Sequence, residues 1–227
     1  MKNNCLAKYE FKKELYFRAV EKIKTFFLNG TTIYLMEISS MNLTEYMSAL
    51  TPEECFKLNI ISNLQKKIEF SASRFLKHFL FGENNISYTE SKSPYIIGEQ
   101  KFISISHSRN FVAIGTHNDF EIGIDIEEID SKAARLSSKF ITAHERTLFD
   151  EHSNADMTLL WSFKETLYKL SDRRQLIFQK DILVSKNGDN YVGSIQKTDG
   201  VYEYDLSKLL HQNIFITCNT SKGKLKP

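Results

Sequence analysis

The chain is poor in the residues that build disulfide frameworks and zinc sites. It has three cysteines, an odd number, and no CxxC or Cys/His spacing links Cys5, Cys55 and Cys218. This pattern argues against a disulfide scaffold and favours a reducing cytoplasm. His144 and Glu145 do not begin a metalloprotease zinc motif, because position 148 holds a leucine.

The chain also lacks long apolar runs and a surplus of charge. No run approaches the ~20 apolar residues of a membrane span, and the first residues lead into charged sequence rather than a signal-peptide core. Lysine and arginine number 30 against 28 acidic residues, a net charge of +2 that does not indicate a nucleic-acid binder. We therefore expect a cytoplasmic monomer with no nucleic-acid or membrane partner.

Common nucleotide-binding and hydrolase motifs are missing as well. The sequence contains no GxGxxG fingerprint, no P-loop and no GxSxG nucleophile elbow. Their absence argues against the familiar nucleotide-binding folds and against a Ser-His-Asp triad. What the chain does have is 41% apolar and 12% aromatic content, enough in 227 residues to bury a sizeable core.

Hydrophobic periodicity predicts an α+β fold. An amphipathic helix is predicted across Tyr16, Val20, Ile23 and Phe27, with a stop at Asn29-Gly30. The later segments alternate between strand and helix patterns. Strands are predicted at 31–38, 95–97, 102–106, 111–114, 121–126, 182–184, 191–193, 201–206 and 214–216, helical stretches at 51–82 and 131–170, and a loose basic tail at 221–227.

Two successive rounds of strand, helices and strands indicate two similar-sized lobes. The predicted division is a helical extension at 1–30, an N-terminal lobe at 31–118 and a C-terminal lobe at 119–227. No literal sequence repeat relates the two lobes.

One predicted strand carries two carboxylates with the spacing of a metal site. Asp125 and Glu127 are two residues apart, so both leave the same face of a strand. Positions 119 to 130 hold six acidic residues and no basic one, so nothing nearby in sequence neutralises them. A hard cation such as Mg²⁺ takes oxygen ligands of this kind and shares its coordination shell with substrate phosphates. The alternative is a solvated strand end followed by an acidic loop.

A second charged pair lies on a predicted helix forty positions later. The apolar residues at 160, 163, 167 and 170 form a core-facing stripe, and Glu165 lies off that stripe. Lys169 follows one helical turn after Glu165, so both head groups can reach one site. The alternative is an ordinary surface pair. Trp161 is interpreted as a packing residue.

A histidine flanked by serines, Ser106-His107-Ser108, ends another predicted strand. A strand end is a place from which a histidine can reach a ligand. The alternative is a structural histidine with satisfied hydrogen bonds.

In combination, these segments resemble the Sfp-type 4′-phosphopantetheinyl transferases. The resemblance rests on the order and spacing of Ser106-His107-Ser108, then Gly123-Ile124-Asp125-Ile126-Glu127, then Trp161-Ser162-Phe163-Lys164-Glu165 with Lys169. It implies a two-lobed, pseudo-dimeric α+β enzyme. Such an enzyme moves 4′-phosphopantetheine from coenzyme A to a serine of an acyl or peptidyl carrier protein, depends on Mg²⁺, and releases 3′,5′-ADP.

The resemblance also implies roles for single residues. Asp125, Glu127 and Glu165 match the ligands of Mg²⁺, with Mn²⁺ as an alternative ion, and Glu165, Lys169 and His107 match catalytic positions. Positions that contact coenzyme A match Ser106, His107, Lys164, Lys169, Arg74 and Lys92. The chain departs from the family pattern at Lys92-Ser93-Pro94, where the lysine is displaced by one position, and at 171–174.

The resemblance further implies an acidic carrier protein as partner. Lys132, Arg135 and Lys139 fall at i, i+3 and i+7 of the helix expected after the metal strand, so they would line one basic face. A merely solvated helix face is the alternative. Two other functions stay open at this point: a catalytically weak module that docks carrier proteins, and a Mg²⁺-dependent nucleotide phosphodiesterase.

Overall fold

A computed structural model describes residues 22–171 and 176–226 of the chain. Helices and strands alternate in the manner expected for an α+β protein, so the predicted fold class is confirmed. Within the described residues, no helix is both long and apolar enough to cross a membrane. The division into domains at 30 and 118 stays a prediction.

Twelve strands and six α-helices are described, together with short 3₁₀ turns. The strands are β1 (Ile23–Leu28), β2 (Thr31–Glu37), β3 (Ile86–Tyr88), β4 (Pro94–Ile96), β5 (Phe102–His107), β6 (Phe111–His117), β7 (Ile124–Glu128), β8 (Ile182–Asn187), β9 (Asn190–Lys197), β10 (Gly200–His211), β11 (Ile214–Asn219) and β12 (Lys224–Leu225). The helices are α1 (Leu43–Met47), α2 (Pro52–Ile60), α3 (Leu64–Phe81), α4 (Ser131–Leu136), α5 (Asn154–Tyr168) and α6 (Phe178–Asp181).

The first sheet is antiparallel, with strand order β1-β2-β6-β5. Helix α3 packs against β6, and its apolar positions, including Ala72 and Leu76, share a buried core with Met36 of β2 and Val112 of β6. The side chains on α3 that point away from this core are free to line a cleft, and Arg74 is one of the residues that do so.

The second sheet follows the order β7-β11-β10-β9-β8, and β12 pairs with β10. Helix α5 crosses this sheet and contacts β7, β8, β9 and β11. Its apolar stripe, including Leu160, Phe163 and Leu167, is fully buried there, as the spacing of these residues predicts. Each of these two sheets is therefore antiparallel and packs against one long helix.

The two sheets meet where β5, the outermost strand of the first, lies beside β7, the outermost strand of the second. A third buried cluster fills the space behind this junction, with Ile33 and Leu35 from the first sheet against Ile124 and Ile126 from the second. The carboxylates of β7 and the histidine of β5 are brought together by this arrangement.

Three sequence-based expectations are corrected by the described residues. The helix predicted across Tyr16 to Phe27 is wrong for its described part, because 23–28 form β1. Strand β1 pairs with β2 through a tight turn in which Asn29 and Gly30 both have positive φ, the geometry that Asn-Gly favours in hairpins. The remainder of that helix, and the extension it belongs to, lies outside the described residues up to position 21.

The helical block predicted at 131–170 is interrupted. Helix α4 ends at Leu136 and a 3₁₀ turn covers 137–139, so Lys132, Arg135 and Lys139 are exposed but do not share the face of one continuous helix. The tail at 221–227 is also not loose throughout, because Lys224 and Leu225 pair with β10.

Candidate metal and coenzyme A site

Asp125 lies on β7 at the junction of the two lobes, with only 4% of its surface exposed. Its Oδ1 accepts a hydrogen bond from Ser106 Oγ at 2.8 Å and lies 3.0 Å from Lys169 Nζ. The other oxygen, Oδ2, is buried and has no hydrogen-bond partner. A buried carboxylate oxygen without a donor is costly, and a bound cation would satisfy it.

Glu127 follows two residues later and opens into the cleft between the lobes. Its Oε1 accepts a hydrogen bond from Trp161 Nε1 at 3.0 Å, so Trp161 does more than pack. Burial, together with the charges of Asp125 and Glu165, raises the pKa of Glu127 to about 8. Carboxylates that oppose one another's ionisation in this way suit a site whose occupant is positive.

Glu165 is half-buried on α5, and a buried set of hydroxyls fixes that helix against the sheet. Thr217 of β11 hydrogen-bonds with Ser162 and Thr166, which flank Glu165 on α5. Gly123, just before β7, lets α5 approach closely, because a Cβ there would lie 2.2 Å from the carbonyl oxygen of Thr166. The glycine of the sequence motif therefore sets the distance between the strand and the helix that carry the three carboxylates.

The donor set fits Mg²⁺ in type, since all three side chains offer carboxylate oxygens and Asp125 Oδ2 lacks a partner. In the described part of the chain, no three or more His, Cys, Asp or Glu side chains lie close enough together to hold a metal ion. Protein donors currently occupy one oxygen of Asp125 and one of Glu127. The three-ligand metal site therefore stays a prediction.

Lys169 ends α5 and reaches back to β7, where its Nζ contacts the carbonyl oxygen of Ile124 at 2.6 Å as well as Asp125. Its side chain is 13% exposed. Lys169 lies close to the carboxylates, as its spacing predicts. Its ion-pair partner is Asp125. Its contact with coenzyme A is not tested.

His107 ends β5 and is half exposed, with its Nδ1 3.6 Å from Glu69 Oε2 of α3. These two residues lie where two clefts adjoin. The larger cleft, of about 580 Å³, includes Glu127, Trp161 and Lys132, and the smaller, of about 300 Å³, includes Arg74. The strand end thus places the histidine between the carboxylates and the arginine.

Arg74 projects from α3 into the smaller cleft and is held from several sides. It donates to Ser73 Oγ and to the hydroxyl of Tyr88, and its guanidinium lies 4.2 Å from the centre of the Phe70 ring. Glu54 Oε1 lies 3.9 Å from Arg74 Nε. The planar group is therefore fixed in place before any anion arrives.

Sequence reasoning missed a buried ion pair behind that arginine. Lys77 is fully buried with its Nζ 3.2 Å from Glu54 Oε1, the same oxygen that faces Arg74. Two cations, Arg74 and Lys77, therefore share one carboxylate. The only sequence signal was the capping box of α2, in which Thr51 and Glu54 bond to each other's backbone N–H.

Two of the predicted coenzyme A contacts fall on buried side chains and stay predictions. Lys164 has no exposed surface, because its Nζ donates to the carbonyl oxygens of Phe140 and Phe178 and pairs with Glu145 at 2.9 Å. Burial lowers the pKa of Lys164, and the charge of Glu145 opposes that shift. Ser106 is likewise buried and bonded to Asp125. Neither side chain faces a cleft.

Lys92 is exposed in the turn between β3 and β4, where it has a positive φ of 63°. It does not line either cleft, although Tyr88 and Pro94 on either side of that turn line the smaller one. Its proposed contact with coenzyme A is not tested.

We expect Lys164 to act in stability rather than in ligand binding. Replacing it by methionine leaves the Glu145 carboxylate buried without its cation, and breaking a buried pair in this way costs about 3–5 kcal/mol. The free energy of unfolding, measured with denaturant, should fall by that amount, while the KM for coenzyme A of the remaining folded protein should stay unchanged. The double variant Lys164→Met with Glu145→Gln should recover part of the loss. A stable Lys164→Met protein with a raised KM would contradict the assignment.

Residues 121–213 match the family model described as the 4′-phosphopantetheinyl transferase superfamily. This match spans β7 to the end of β10 and includes Asp125, Glu127, Glu165 and Lys169. It confirms the resemblance to that superfamily, and it does not test the Sfp-type subfamily. A search of curated proteins returned no match. The match to this superfamily supports phosphopantetheine transfer in general, a reaction that uses coenzyme A as substrate and a carrier protein as partner.

Proposed function

We propose that this chain transfers 4′-phosphopantetheine from coenzyme A to a serine of an apo acyl or peptidyl carrier protein and releases 3′,5′-ADP. The observation that supports this most is that Glu127, which lies close enough to Asp125 and Glu165 for their charges to act on it, lines a cleft that adjoins a second cleft at His107, and Arg74 lines that second cleft. Carboxylates at one end and cations at the other suit a metal-bound diphosphate with further phosphate beyond it.

Mg²⁺ held by the three carboxylates would supply charge neutralisation for the diphosphate of coenzyme A. His107 and Arg74 bind phosphate oxygens on the nucleotide side, where Arg74 is already oriented by Tyr88 and Ser73. Positioning and electrostatics of this kind account for most catalysis of phosphoryl transfer.

Glu165 accepts the proton of the carrier serine, either directly or through a bound water, as the hydroxyl attacks the β-phosphorus of coenzyme A. A bond forms between the serine oxygen and that phosphorus, and the bond between phosphorus and the bridging oxygen of the diphosphate breaks. Lys169 stabilises the negative charge that develops on the leaving 3′,5′-ADP.

A mass assay tests the reaction. The protein is incubated with a panel of apo-carriers, coenzyme A and Mg²⁺, and each carrier is then weighed while 3′,5′-ADP is measured. We expect one carrier or more to gain the mass of one phosphopantetheine group, with 3′,5′-ADP released in equal amount and only when carrier is present. Release of 3′,5′-ADP without a carrier would favour the phosphodiesterase. Carrier binding without any mass gain would favour the docking module.

The basic residues after β7 are proposed as the carrier-docking surface. Lys132 lines the larger cleft and its charge acts on Glu127, whereas Arg135 and Lys139 are exposed farther along the chain. A positive surface beside the carboxylate site would attract an acidic carrier and raise its association rate.

Charge reversal tests this surface. Arg135→Glu with Lys139→Glu should raise the KM for the carrier by roughly 10-fold at low salt, because steering between opposite charges is lost, and the KM for coenzyme A should not change. Lys132 is left intact because of its effect on Glu127. Lys186→Glu with Lys224→Glu, two exposed lysines of the second sheet, serves as the control. Carrier kinetics that match the control across ionic strength would remove this segment from the docking surface.

A further inference from the structure

Three serines, two on β5 and one just after it, contact every second residue of β7, the strand that carries Asp125 and Glu127. Ser104 Oγ accepts the N–H of Ile124 at 3.1 Å, and Ser106 Oγ accepts the N–H of Ile126 at 3.3 Å while donating to Asp125. Ser108 Oγ then donates to Glu128 at 3.0 Å. We call these three serines together with Glu128 the serine ladder.

The ladder takes the place of backbone pairing between the two sheets. Strands β5 and β7 lie side by side without a shared backbone register, since each is the last strand of its own sheet. The hydroxyls of Ser104 and Ser106, at i and i+2 of β5, therefore satisfy buried N–H groups of β7, and Ser108, just past the end of β5, bonds to the Glu128 side chain. This arrangement fixes how far β5 is displaced along β7.

Glu128 completes the ladder by holding the turn that follows His107. Its Oε1 also accepts the backbone N–H of Asn110 at 3.0 Å, and its Oε2 accepts Asn110 Nδ2 at 2.9 Å. A second contact, from Gln65 of α3 to the carbonyl oxygen of Arg109, holds the same turn from the other side. The carboxylate at the end of β7 thus takes three hydrogen bonds from one turn.

Side chains alternate in direction along each strand, and this places the serine ladder next to His107 and the carboxylates. On β5, Ser104 and Ser106 point to β7, and His107 points the opposite way, to Glu69 of α3. On β7, Glu127 contacts Trp161 of the second lobe, and Glu128 contacts the turn of the first. The ladder therefore determines where His107 lies relative to the carboxylates.

We propose that Ser104, Ser108 and Glu128 are positioning residues that set the spacing between His107 and the Asp125/Glu127 carboxylates across the two lobes. Coenzyme A binding then depends on the spacing that these residues set. The kinetic part of this inference rests on the proposed function. Its structural part does not.

Backbone amide exchange tests the structural part without any turnover. In Ser104→Ala, exchange at the Ile124 N–H should rise by about 10-fold or more, and in Glu128→Ala the N–H of Asn110 should behave likewise, because each amide loses its acceptor. Glu121→Ala is the matched control, since Glu121 lies in the same acidic segment, is exposed and accepts a serine hydroxyl from Ser93. Unchanged exchange at both amides would refute the ladder, whether or not the protein transfers phosphopantetheine.

Kinetics and direct coenzyme A titration test the positioning part. Ser108→Ala and Glu128→Ala should each raise the Kd and KM for coenzyme A by roughly 10-fold with little change in the carrier KM, because a displaced binding group weakens binding steeply. Ser108→Thr, which keeps the hydroxyl, should restore near-normal values. The double variant Ser108→Ala with Glu128→Ala should be no worse than Glu128→Ala alone. Coenzyme A affinities equal to that of Glu121→Ala would overturn the proposal, and additive losses would show that the residues act independently.

Discussion

Replacing Asp125 by asparagine is expected to lower kcat/KM for phosphopantetheine transfer by about 10³-fold, the size of effect seen when a preorganised electrostatic group is lost. Asparagine keeps the shape of the side chain and one oxygen to accept from Ser106, so the junction between the lobes should persist. What is lost is the negative charge that a divalent ion needs at this buried position. Initial rates over a range of Mg²⁺ concentrations measure the effect.

Asp119→Asn is the matched control for that variant. Asp119 belongs to the same acidic segment but is exposed and lines neither cleft. It should retain full activity, and both variants should unfold at similar denaturant concentrations. Near-normal turnover of Asp125→Asn at modest Mg²⁺ would show that the ion, if one is needed, is held elsewhere.

Replacing Lys169 by methionine is expected to lower kcat by about 10²-fold while the KM for coenzyme A changes much less. Methionine keeps the apolar stem packed and removes only the ammonium group. Because Lys169 pairs with Asp125 and is not itself a metal ligand, the Mg²⁺ concentration for half-maximal rate should not rise in the variant, and this separates a role in the chemical step from a role in holding the metal.

Lys186→Met, at an exposed position on β8, is the control for that experiment. If Lys169→Met instead raises the KM for coenzyme A and leaves kcat intact, Lys169 contributes ordinary ground-state binding. If Lys169→Met raises the Mg²⁺ concentration for half-maximal rate, Lys169 supports metal binding through Asp125, and a role in the chemical step alone is wrong.

Much of the fold follows from local patterns in the sequence. The β-type runs at 102–106 and 111–114 predict two strands, and both are present; the apolar stripe of α5 predicts its buried face. The N-terminal helix was predicted wrongly at 23–28 because Ile23 and Phe27 also fit a strand, and the Asn-Gly turn after them decides the outcome through pairing with β2. Pairing partners are distant in sequence and local periodicity does not contain them.

Part of the candidate site is predictable from the sequence, because the spacing of its charged residues indicates which of them come together. Asp125 and Glu127 share a strand face as their spacing implies, and Lys169, one turn beyond Glu165, reaches Asp125. The burial of Lys164 is not predictable from its motif position, because its partner Glu145 lies 19 residues earlier and meets it only in the folded chain. Its predicted contact with coenzyme A stays a prediction. The serine ladder is likewise not predictable from the sequence, because it joins strands of different sheets.

Anomalous diffraction from crystals grown with Mn²⁺ and coenzyme A tests whether the three carboxylates hold one ion. We expect a single Mn²⁺ peak within direct coordination distance of Asp125, Glu127 and Glu165, with the diphosphate of coenzyme A completing the coordination shell and the rest of the nucleotide lying toward His107 and Arg74. Coenzyme A bound in the cleft with no ion between these carboxylates, or an ion held by other residues, would contradict this expectation.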